Sequence, residues 1–383
     1  MRVLVLGGGG RMGFEAVRDL AQSPEVRRVT VADARRERAK ARIEARGERE
    51  RHKIDLKGVD VTERAGLVAM MKETDLVVNC VGPFYRFGLG VVEAALEATV
   101  SYVDICDDYD ATQAMLAQDE RAKEAGVTIL TGMGLSPGLT NVLARLGVDR
   151  LDRAYEVDTS WVVGVADPAG FGALFHGLHM ISGKVPQYLD GQWVEVPALS
   201  GSTYVELPEP LGRCEVYYVG HSEPVTIPRF LKGLKRVTNR GGLYPPWANQ
   251  HSRDRVALGL DRVEPVMVDG RPVVPRDFAI ALDRAVIPAR RAEGLDLGPP
   301  CSGLRVDIRG EKGGKKVRHS YYGVCPMARA TGVSASIAAL MVGRGDVKAK
   351  GVVAPEACLN AEAFVAEYAR RGLELYALEE RLL

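Results

Sequence analysis

The sequence has no long apolar run, no closely spaced cysteine pair and almost no net charge. None of its apolar stretches approaches the roughly 18 residues of a membrane-spanning helix, and the first ten residues, MRVLVLGGGG, contain too short an apolar segment for a signal peptide. The six cysteines form no CxxC pair and are typical of reduced thiols. A formal charge of +1 provides no field that would attract nucleic acid or an anionic membrane. We therefore expect a cytoplasmic protein that binds neither.

Two motifs of other enzyme classes are also missing. The chain contains neither an HExxH zinc motif nor a GxxxxGK[ST] phosphate loop, so metalloprotease and kinase functions have no support. His176 and His179 lie three residues apart on a predicted helix, but no carboxylate or cysteine is suitably spaced to complete a metal site. We predict that the protein binds no metal.

A glycine-rich turn lies at the start of the chain. Residues 3–6 are a short apolar run, and apolar residues with helical spacing follow from Phe14 to Leu20, so the pattern predicts a strand, a turn and a helix. The turn fits both GxGxxG and GxxGxxG, which leaves its register open. Such glycines let the backbone approach a pyrophosphate at a helix N-terminus. We predict a dinucleotide-binding turn formed by Gly7, Gly8, Gly9, Gly10, Arg11, Met12 and Gly13.

The second predicted strand ends at Asp33, about 20 residues beyond the glycines. A carboxylate at this position accepts hydrogen bonds from the adenosine ribose and repels a 2′-phosphate, which favours NAD. Arg35 and Arg36 follow directly and could pair with a 2′-phosphate, so NADP stays possible.

Strand and helix patterns alternate up to residue 130 and predict a Rossmann-type, doubly wound parallel sheet in an α/β protein. In such a sheet ligands bind at the carboxyl ends of the strands, so the important loops are 7–13, 79–88, 104–109 and 131–138. In the second loop, four residues are expected beside the cofactor. They are Cys80, Val81, Gly82 and Pro83.

Three polar residues of these loops are candidates for catalysis. Tyr85 and Arg86 are expected to face the cleft, although the aromatic residues here could instead fill a seam between domains. Asp104 ends the fifth strand beside Asp107 and Asp108, where carboxylates could hold a substrate ammonium group. Asp107 or Asp108 could also simply cap the following helix.

The pattern changes after residue 134 to longer alternating segments. We predict a dinucleotide-binding domain of residues 1–134 with about 327–383, whose C-terminal helices return to it. Residues 135–326 are expected to form an α+β domain with a mostly antiparallel sheet that covers the cleft and forms a homodimer or higher homo-oligomer. Residues 241–255 lack periodicity and are expected to be a mobile loop.

Four stretches resemble the saccharopine dehydrogenase family across nearly the whole chain. They are residues 1–33, residues 127–144 (VTILTGMGLSPGLTNVLA), residues 273–277 (VVPRD) and residues 327–356. The resemblance implies an NAD(P)-dependent oxidoreductase that acts on a carbon–nitrogen bond of an amino acid. Ser136 departs from the Asp that commonly precedes Pro-Gly in saccharopine-forming relatives, which argues against saccharopine as substrate.

Within the family the chain is most similar to lysine 6-dehydrogenases, which implies oxidative deamination of L-lysine. The alternatives are a saccharopine or carboxynorspermidine-type dehydrogenase or imine reductase, and a non-catalytic NAD-binding scaffold or sensor. For hydride transfer from an amine-bearing carbon, Asp104 or Tyr85 would accept the amine proton and Arg86 would bind the substrate carboxylate.

Overall fold

The computed structural model describes residues 1–45 and 50–381. Residues 46–49 and 382–383 of the predicted dinucleotide-binding domain lie outside this range. The strands are β1 (Arg2–Leu6), β2 (Arg28–Asp33), β3 (Ile54–Gly58), β4 (Leu76–Asn79), β5 (Tyr102–Asp104), β6 (Thr128–Leu130), β7 (Arg153–Gly164), β8 (Lys184–Leu189), β9 (Gln192–Pro197), β10 (Thr203–Glu206), β11 (Arg213–Tyr218), β12 (Arg236–Tyr244), β13 (Val266–Val268), β14 (Arg271–Val273), β15 (Ser302–Lys312), β16 (Lys315–Cys325), β17 (Gly351–Val353) and β18 (Tyr376–Arg381).

The helices lie between these strands, together with a 3-10 turn at Arg51–Lys53. They are α1 (Arg11–Gln22), α2 (Arg36–Ala45), α3 (Arg64–Lys72), α4 (Phe84–Ala98), α5 (Tyr109–Leu116), α6 (Asp119–Glu124), α7 (Leu139–Val148), α8 (Phe171–His179), α9 (Glu223–Phe230), α10 (Pro246–Ala257), α11 (Pro275–Ala292), α12 (Met327–Gly343), α13 (Pro355–Cys358) and α14 (Ala361–Arg370). Within residues 1–45 and 50–381, no helix is both long and apolar enough to cross a bilayer.

The first sheet is parallel throughout, in the order β17-β6-β5-β4-β1-β2-β3. Helices cover both faces of this sheet, so the side chains on both faces of its central strands are buried. These short strands are therefore largely apolar. The chain reverses direction across the sheet between β1 and β4, which creates the crevice where such sheets bind ligands. The predicted doubly wound Rossmann sheet is confirmed.

The second sheet is mixed and mostly antiparallel, with the main path β10-β11-β12-β7-β15-β16-β18. Strands β12 and β7 run parallel, whereas β15 pairs antiparallel with both β7 and β16. The strand β8 pairs with β12 and β9 beside this path. The predicted α+β second region is therefore confirmed.

The expectation of a mobile loop at residues 241–255 is wrong. Residues 241–244 complete β12, which lies inside the second sheet, and α10 begins at Pro246. Gly241 and Gly242 hid the strand because they have low strand propensity. The structure requires them, since a Cβ at Gly241 would lie 2.3 Å from the Trp161 ring and one at Gly242 2.3 Å from the Glu215 carbonyl oxygen.

The predicted return of the C-terminal helices is confirmed. Helix α12 packs so closely on α1 that a Cβ at Gly332 would lie 2.5 Å from the Met12 carbonyl oxygen. The Ser336 hydroxyl donates to Asp19 Oδ2 at 2.6 Å across the same contact. Strand β17 then joins the first sheet, whereas β18 pairs with β16 of the second. The domain boundaries at 134 and 327 stay predictions.

Candidate active site in the interdomain cleft

The glycine turn links β1 to α1 through a tight backbone approach. Gly7 has φ +69° and its carbonyl accepts from the Gly10 N–H at 2.8 Å. A Cβ at Gly13 would lie only 2.4 Å from the Gly7 carbonyl oxygen. No side chain caps α1 at Gly10, so N–H groups of its first turn stay available to an anion. This geometry fits the pyrophosphate of a dinucleotide.

Asp33 lies directly against this turn. Its Oδ2 accepts from the Gly9 N–H at 3.1 Å and its Oδ1 from the Arg35 N–H at 2.8 Å. The carboxylate is therefore fixed at the end of β2, where a ribose is bound in this kind of sheet. Arg35 lines the adjacent cleft, whereas Arg36 pairs with Glu37 on the exposed side of α2.

The loop after β4 faces the glycine turn. A Cβ at Gly7 would lie 2.9 Å from the Cys80 carbonyl oxygen and 3.0 Å from Val81 Cγ2. Gly82 and Pro83 complete this loop, and Gly82 lies against Gly172 of α8. The structure thus brings together all the predicted cofactor residues, from Gly7 to Gly13 and from Cys80 to Pro83, with Asp33 at the opposite side of the turn.

A cleft of about 620 Å³ extends from the start of α1 into the second sheet. Arg11 and Met12 line it near the glycine turn, and Trp161, His176 and His221 line it further in. The cleft therefore connects the dinucleotide turn with a group of ionisable side chains.

The first histidine of this group is held by two carboxylates. His176 Nδ1 lies 2.7 Å from Asp108 Oδ1 and 3.5 Å from Asp107 Oδ1. Burial alone would lower the pKa of His176, but the two carboxylates outweigh burial and raise it to about 9. His176 is therefore an imidazolium at neutral pH, and its charge keeps the pKa of Asp108 below the ordinary value despite burial.

The second histidine forms a separate pair. His221 Nδ1 lies 2.6 Å from Glu223 Oε2, and the hydroxyls of Ser136 and Thr140 donate to Glu223 Oε1. Burial would raise the pKa of Glu223, but His221 and these donors hold it below the ordinary value. A charged Glu223 requires a proton on His221 Nδ1, which leaves Nε2 as the chemically active nitrogen. The rings of His221 and His176 meet edge to face at 5.4 Å.

Ser136 belongs to the pentapeptide Gly134–Gly138, which has the GxSxG spacing of serine hydrolase nucleophiles. Its hydroxyl donates to the carboxylate of Glu223 and not to a histidine. A serine nucleophile needs a base that removes its proton, and a carboxylate already paired with His221 does not supply one. The residue instead orients Glu223.

Asp104 has a different environment from the one expected. Its carboxylate is fully buried and accepts from the N–H groups of Cys106 and Gly132 and from the Tyr102 and Thr131 hydroxyls, at 2.8–3.0 Å. Burial raises its pKa to about 6, although these donors oppose the rise. Asp104 does not line the cleft. The geometry suits a residue that ties the loops after β5 and β6 together.

Tyr85 and Arg86 also contact other groups than expected. The predicted loop 79–88 ends at Pro83, so both residues lie in the first turn of α4. The Tyr85 ring stacks on His179 of α8 at 4.2 Å, and the Arg86 guanidinium lies 4.8 Å above the Phe175 ring. Neither side chain lines the cleft. Their catalytic roles stay predictions that the structure does not favour.

The two histidines of α8 contact different carboxylates. His176 pairs with Asp108, whereas His179 Nε2 lies 3.0 Å from Asp110 Oδ2. Asp107, Asp108 and His176 do present atoms within 4.8 Å of one another that are suitable as metal ligands. The imidazolium of His176 explains this cluster without an ion, and the predicted absence of a metal stays a prediction.

The opposite wall of the cleft is formed by α10 and α11. Arg255 pairs with Asp283 on this wall. Arg284, also on the wall, lies 5.9 Å from the Phe171 ring and has no carboxylate within ion-pair distance among the described residues. The cleft is therefore acidic at its inner end and cationic on this wall.

His221 and Glu223 were missed in the sequence. The signal is the short segment HSE at 221–223, which follows β11 and places a histidine and a glutamate two residues apart. Their place in the cleft could not be inferred from the sequence, because it depends on how the second sheet, which contains β11, packs on the first sheet. No local sequence pattern indicates that packing. Asp107, Asp108 and His176 were recognised as polar groups but not as a cluster.

Comparison with known proteins agrees with this geometry. A model of the saccharopine dehydrogenase NADP binding domain matches residues 3–130. A carboxynorspermidine synthase from Vibrio alginolyticus is 27% identical over 99% of this chain and 97% of its own length. Residues 3–130 therefore match the nucleotide-binding domain of the saccharopine dehydrogenase family, and the similarity to the synthase extends over the rest of the chain.

Two further proteins are similar along most of the chain. A carboxyaminopropylagmatine dehydrogenase from Synechocystis is 25% identical over 84% of each chain. The saccharopine dehydrogenase (L-Glu forming) from Saccharomyces cerevisiae is 16% identical and superposes with a TM-score of 0.67 over 100% of both chains, which shows the shared fold. The predicted resemblance to the saccharopine dehydrogenase family is confirmed, and these relatives do not single out the lysine dehydrogenases.

The sequence predicts an NAD(P)-dependent dehydrogenase, and the match to an NADP binding domain over residues 3–130 agrees with that prediction. The glycine turn and the loop after β4 fit its nicotinamide cofactor. When bound, the cofactor accepts or supplies a hydride. The other chemistry, which is to bind the substrate and to move protons, falls to the ionisable residues of the cleft.

Proposed function

We propose that the protein catalyses reversible, NAD-linked oxidation of a carbon–nitrogen bond in an amine that also carries a carboxylate. The observation that carries this proposal is the pair of histidine–carboxylate contacts, His176 with Asp108 and His221 with Glu223, in the same cleft as the dinucleotide turn. Oxidation at a carbon–nitrogen bond needs a group that accepts the nitrogen proton and later moves protons during imine hydrolysis. His221 Nε2 is suited to this role.

In the oxidative direction, a hydride leaves the carbon, a C=N bond forms, and the nitrogen proton passes to His221. Water then adds to the imine carbon and the C–N bond breaks, which gives a carbonyl compound and an amine. The carboxylates of Asp108 and Glu223, whose pKa values are lowered, outnumber the charge of His176 and favour a substrate ammonium group. Arg284 on the opposite wall is available for the substrate carboxylate.

The full-length relatives favour substrates of the carboxynorspermidine or carboxyaminopropylagmatine type, in which a secondary amine joins two parts. Oxidative deamination of L-lysine is the second candidate, because the sequence resemblance and Asp33 favour an NAD-linked enzyme of that kind. The homodimer and the amino-acid substrate predicted from the sequence belong to this proposal.

The test is cofactor reduction by the purified protein with carboxynorspermidine, carboxyaminopropylagmatine, saccharopine and L-lysine, each with NAD and NADP. We expect turnover with a secondary amine and the corresponding condensation in the reverse direction with NADH. The variant His221→Gln, purified in the same way, is the control for activity from contaminating dehydrogenases. Turnover of L-lysine alone selects the second candidate, and no turnover of any amine contradicts the proposed function.

The cofactor preference gives a second prediction. Asp33→Asn keeps an acceptor oxygen for the glycine turn but removes the charge that repels a 2′-phosphate. We expect the ratio of kcat/KM for NAD to that for NADP to fall at least about tenfold, equivalent to about 1.4 kcal/mol. Arg36→Ala is the control, because Arg36 pairs with Glu37 outside the cleft. A wild-type preference for NADP would contradict this assignment of Asp33.

A further inference from the structure

A buried carboxylate outside the histidine pairs lines the cleft and has one oxygen without a hydrogen-bond partner among the described residues. Asp167 follows β7 and is 3% exposed. Its Oδ2 accepts from the Met327 N–H at 2.7 Å and from the Ser302 hydroxyl at 2.8 Å. Its Oδ1 has no hydrogen-bond partner in the described part of the chain, although Asp167 lines the cleft. One oxygen thus fixes the side chain, whereas the other is buried beside the cleft without a hydrogen-bond partner among the described residues.

An unpaired acceptor at this depth is unfavourable, since a buried polar atom normally has a hydrogen-bond partner. Burial raises the pKa of Asp167, although the hydrogen bonds from Met327 and Ser302 and the charge of Arg11 partly offset the rise. Arg11 is the first residue of α1, so Asp167 lies on the side of the second sheet that faces the dinucleotide turn. A ligand in this part of the cleft would supply the missing donor.

We propose that Asp167 Oδ1 is a cofactor-binding atom that accepts a hydrogen bond from a neutral donor of the dinucleotide, namely a ribose hydroxyl or the carboxamide N–H. The dinucleotide would then be held from both sheets, by the glycine turn on one side and by Asp167 on the other. The inference rests on the nicotinamide cofactor and does not depend on which amine is the substrate.

The direction in which cofactor affinity changes in the variant Asp167→Asn distinguishes a hydrogen-bond acceptor from a purely electrostatic role. Asp167→Asn is nearly isosteric, and its amide oxygen can still accept from Met327 N–H and the Ser302 hydroxyl. The amide NH₂ group would then face the cleft, so an acceptor becomes a donor. If Asp167 only repelled the cofactor phosphates, removal of its charge would strengthen cofactor binding. If it accepts a hydrogen bond, the same change weakens binding.

The experiment is titration of NADH fluorescence with wild-type protein and Asp167→Asn, without substrate. We expect the Kd for NADH to rise about tenfold in the variant. Asp283→Asn is the matched control, because it removes one negative charge from the same cleft at a carboxylate that already pairs with Arg255, and it should leave this Kd nearly unchanged. An unchanged or lower Kd in Asp167→Asn overturns the proposal, as does an effect confined to the KM of the amine.

Competition with ADP-ribose distinguishes the two donors. ADP-ribose keeps the ribose hydroxyls and lacks the carboxamide, so a higher inhibition constant for ADP-ribose in Asp167→Asn than in the wild type assigns a ribose hydroxyl. An unchanged inhibition constant for ADP-ribose, together with weaker NADH binding, assigns the carboxamide. These titrations need no turnover, so they remain decisive if no tested amine is a substrate.

Discussion

Replacement of His221 by glutamine is expected to lower kcat by about 10²- to 10⁴-fold, the usual contribution of a positioned acid or base. Glutamine retains a hydrogen-bonding group beside Glu223, but its amide nitrogen cannot accept a proton from the substrate. The affinity for NADH should change little, because His221 lies at the inner end of the cleft and away from the glycine turn. Steady-state kinetics together with NADH titration measure both effects.

The variants Glu223→Gln and His176→Gln test which residues act in proton transfer and which act in amine binding. The first variant removes the charge that fixes the His221 tautomer, so kcat should fall, although by less than in His221→Gln. The second removes the imidazolium between Asp107 and Asp108, so the amine KM should change more than kcat. If His221→Gln retains wild-type turnover while His176→Gln loses it, the acid–base role belongs to His176.

The dinucleotide half of the site could be predicted because its chemistry depends on local sequence. The turn Gly7–Gly13 needs residues without side chains within one short loop, and Asp33 follows at a spacing set by one helix and one strand. The predicted sheet was right for the same reason, since the strands β1 to β6 alternate regularly with helices.

The proton-transfer half could not be predicted in this way. His221 lies in the loop after β11 and Glu223 begins α9, whereas Ser136 lies in the loop after β6 and His176 in α8. Their contacts therefore depend on how the two sheets pack. Asp104 shows the reverse case. Its position at a strand end suggests catalysis, but its hydrogen bonds to four neighbours are visible only in the structure.

Glu356 gives the second large expected effect, on stability. It is fully buried at the start of α13, where Oε2 accepts from Asn141 Nδ2 at 2.9 Å and Oε1 has no partner among the described residues. Burial raises its pKa to about 7, and the nearby charge of Glu223 adds to the rise. In the unfolded chain the same carboxyl has a pKa of 4.5. The folded state therefore holds a proton that the unfolded chain loses.

This difference makes the wild-type protein less stable as pH rises. Below about pH 4.5 both states are protonated and Glu356 has no effect. Between about 4.5 and 7 only the unfolded chain ionises, so the free energy of unfolding falls, and above about pH 7 the loss is complete. A shift of this size corresponds to roughly 3 kcal/mol, from about 1.4 kcal/mol per pKa unit.

Glu356→Gln should remove this loss, since a neutral amide can still accept from Asn141. The variant is expected to exceed the wild type in thermal midpoint by several degrees at pH 8 and by much less at pH 5. Glu362→Gln is the control, because the Glu362 side chain is 78% exposed and should show no such pH dependence. A Glu356→Gln variant that is less stable than the wild type at both pH values would mean that the ionised carboxylate stabilises the fold. In that case the hydrogen bond from Asn141 outweighs the unfavourable effects of burial and of the Glu223 charge.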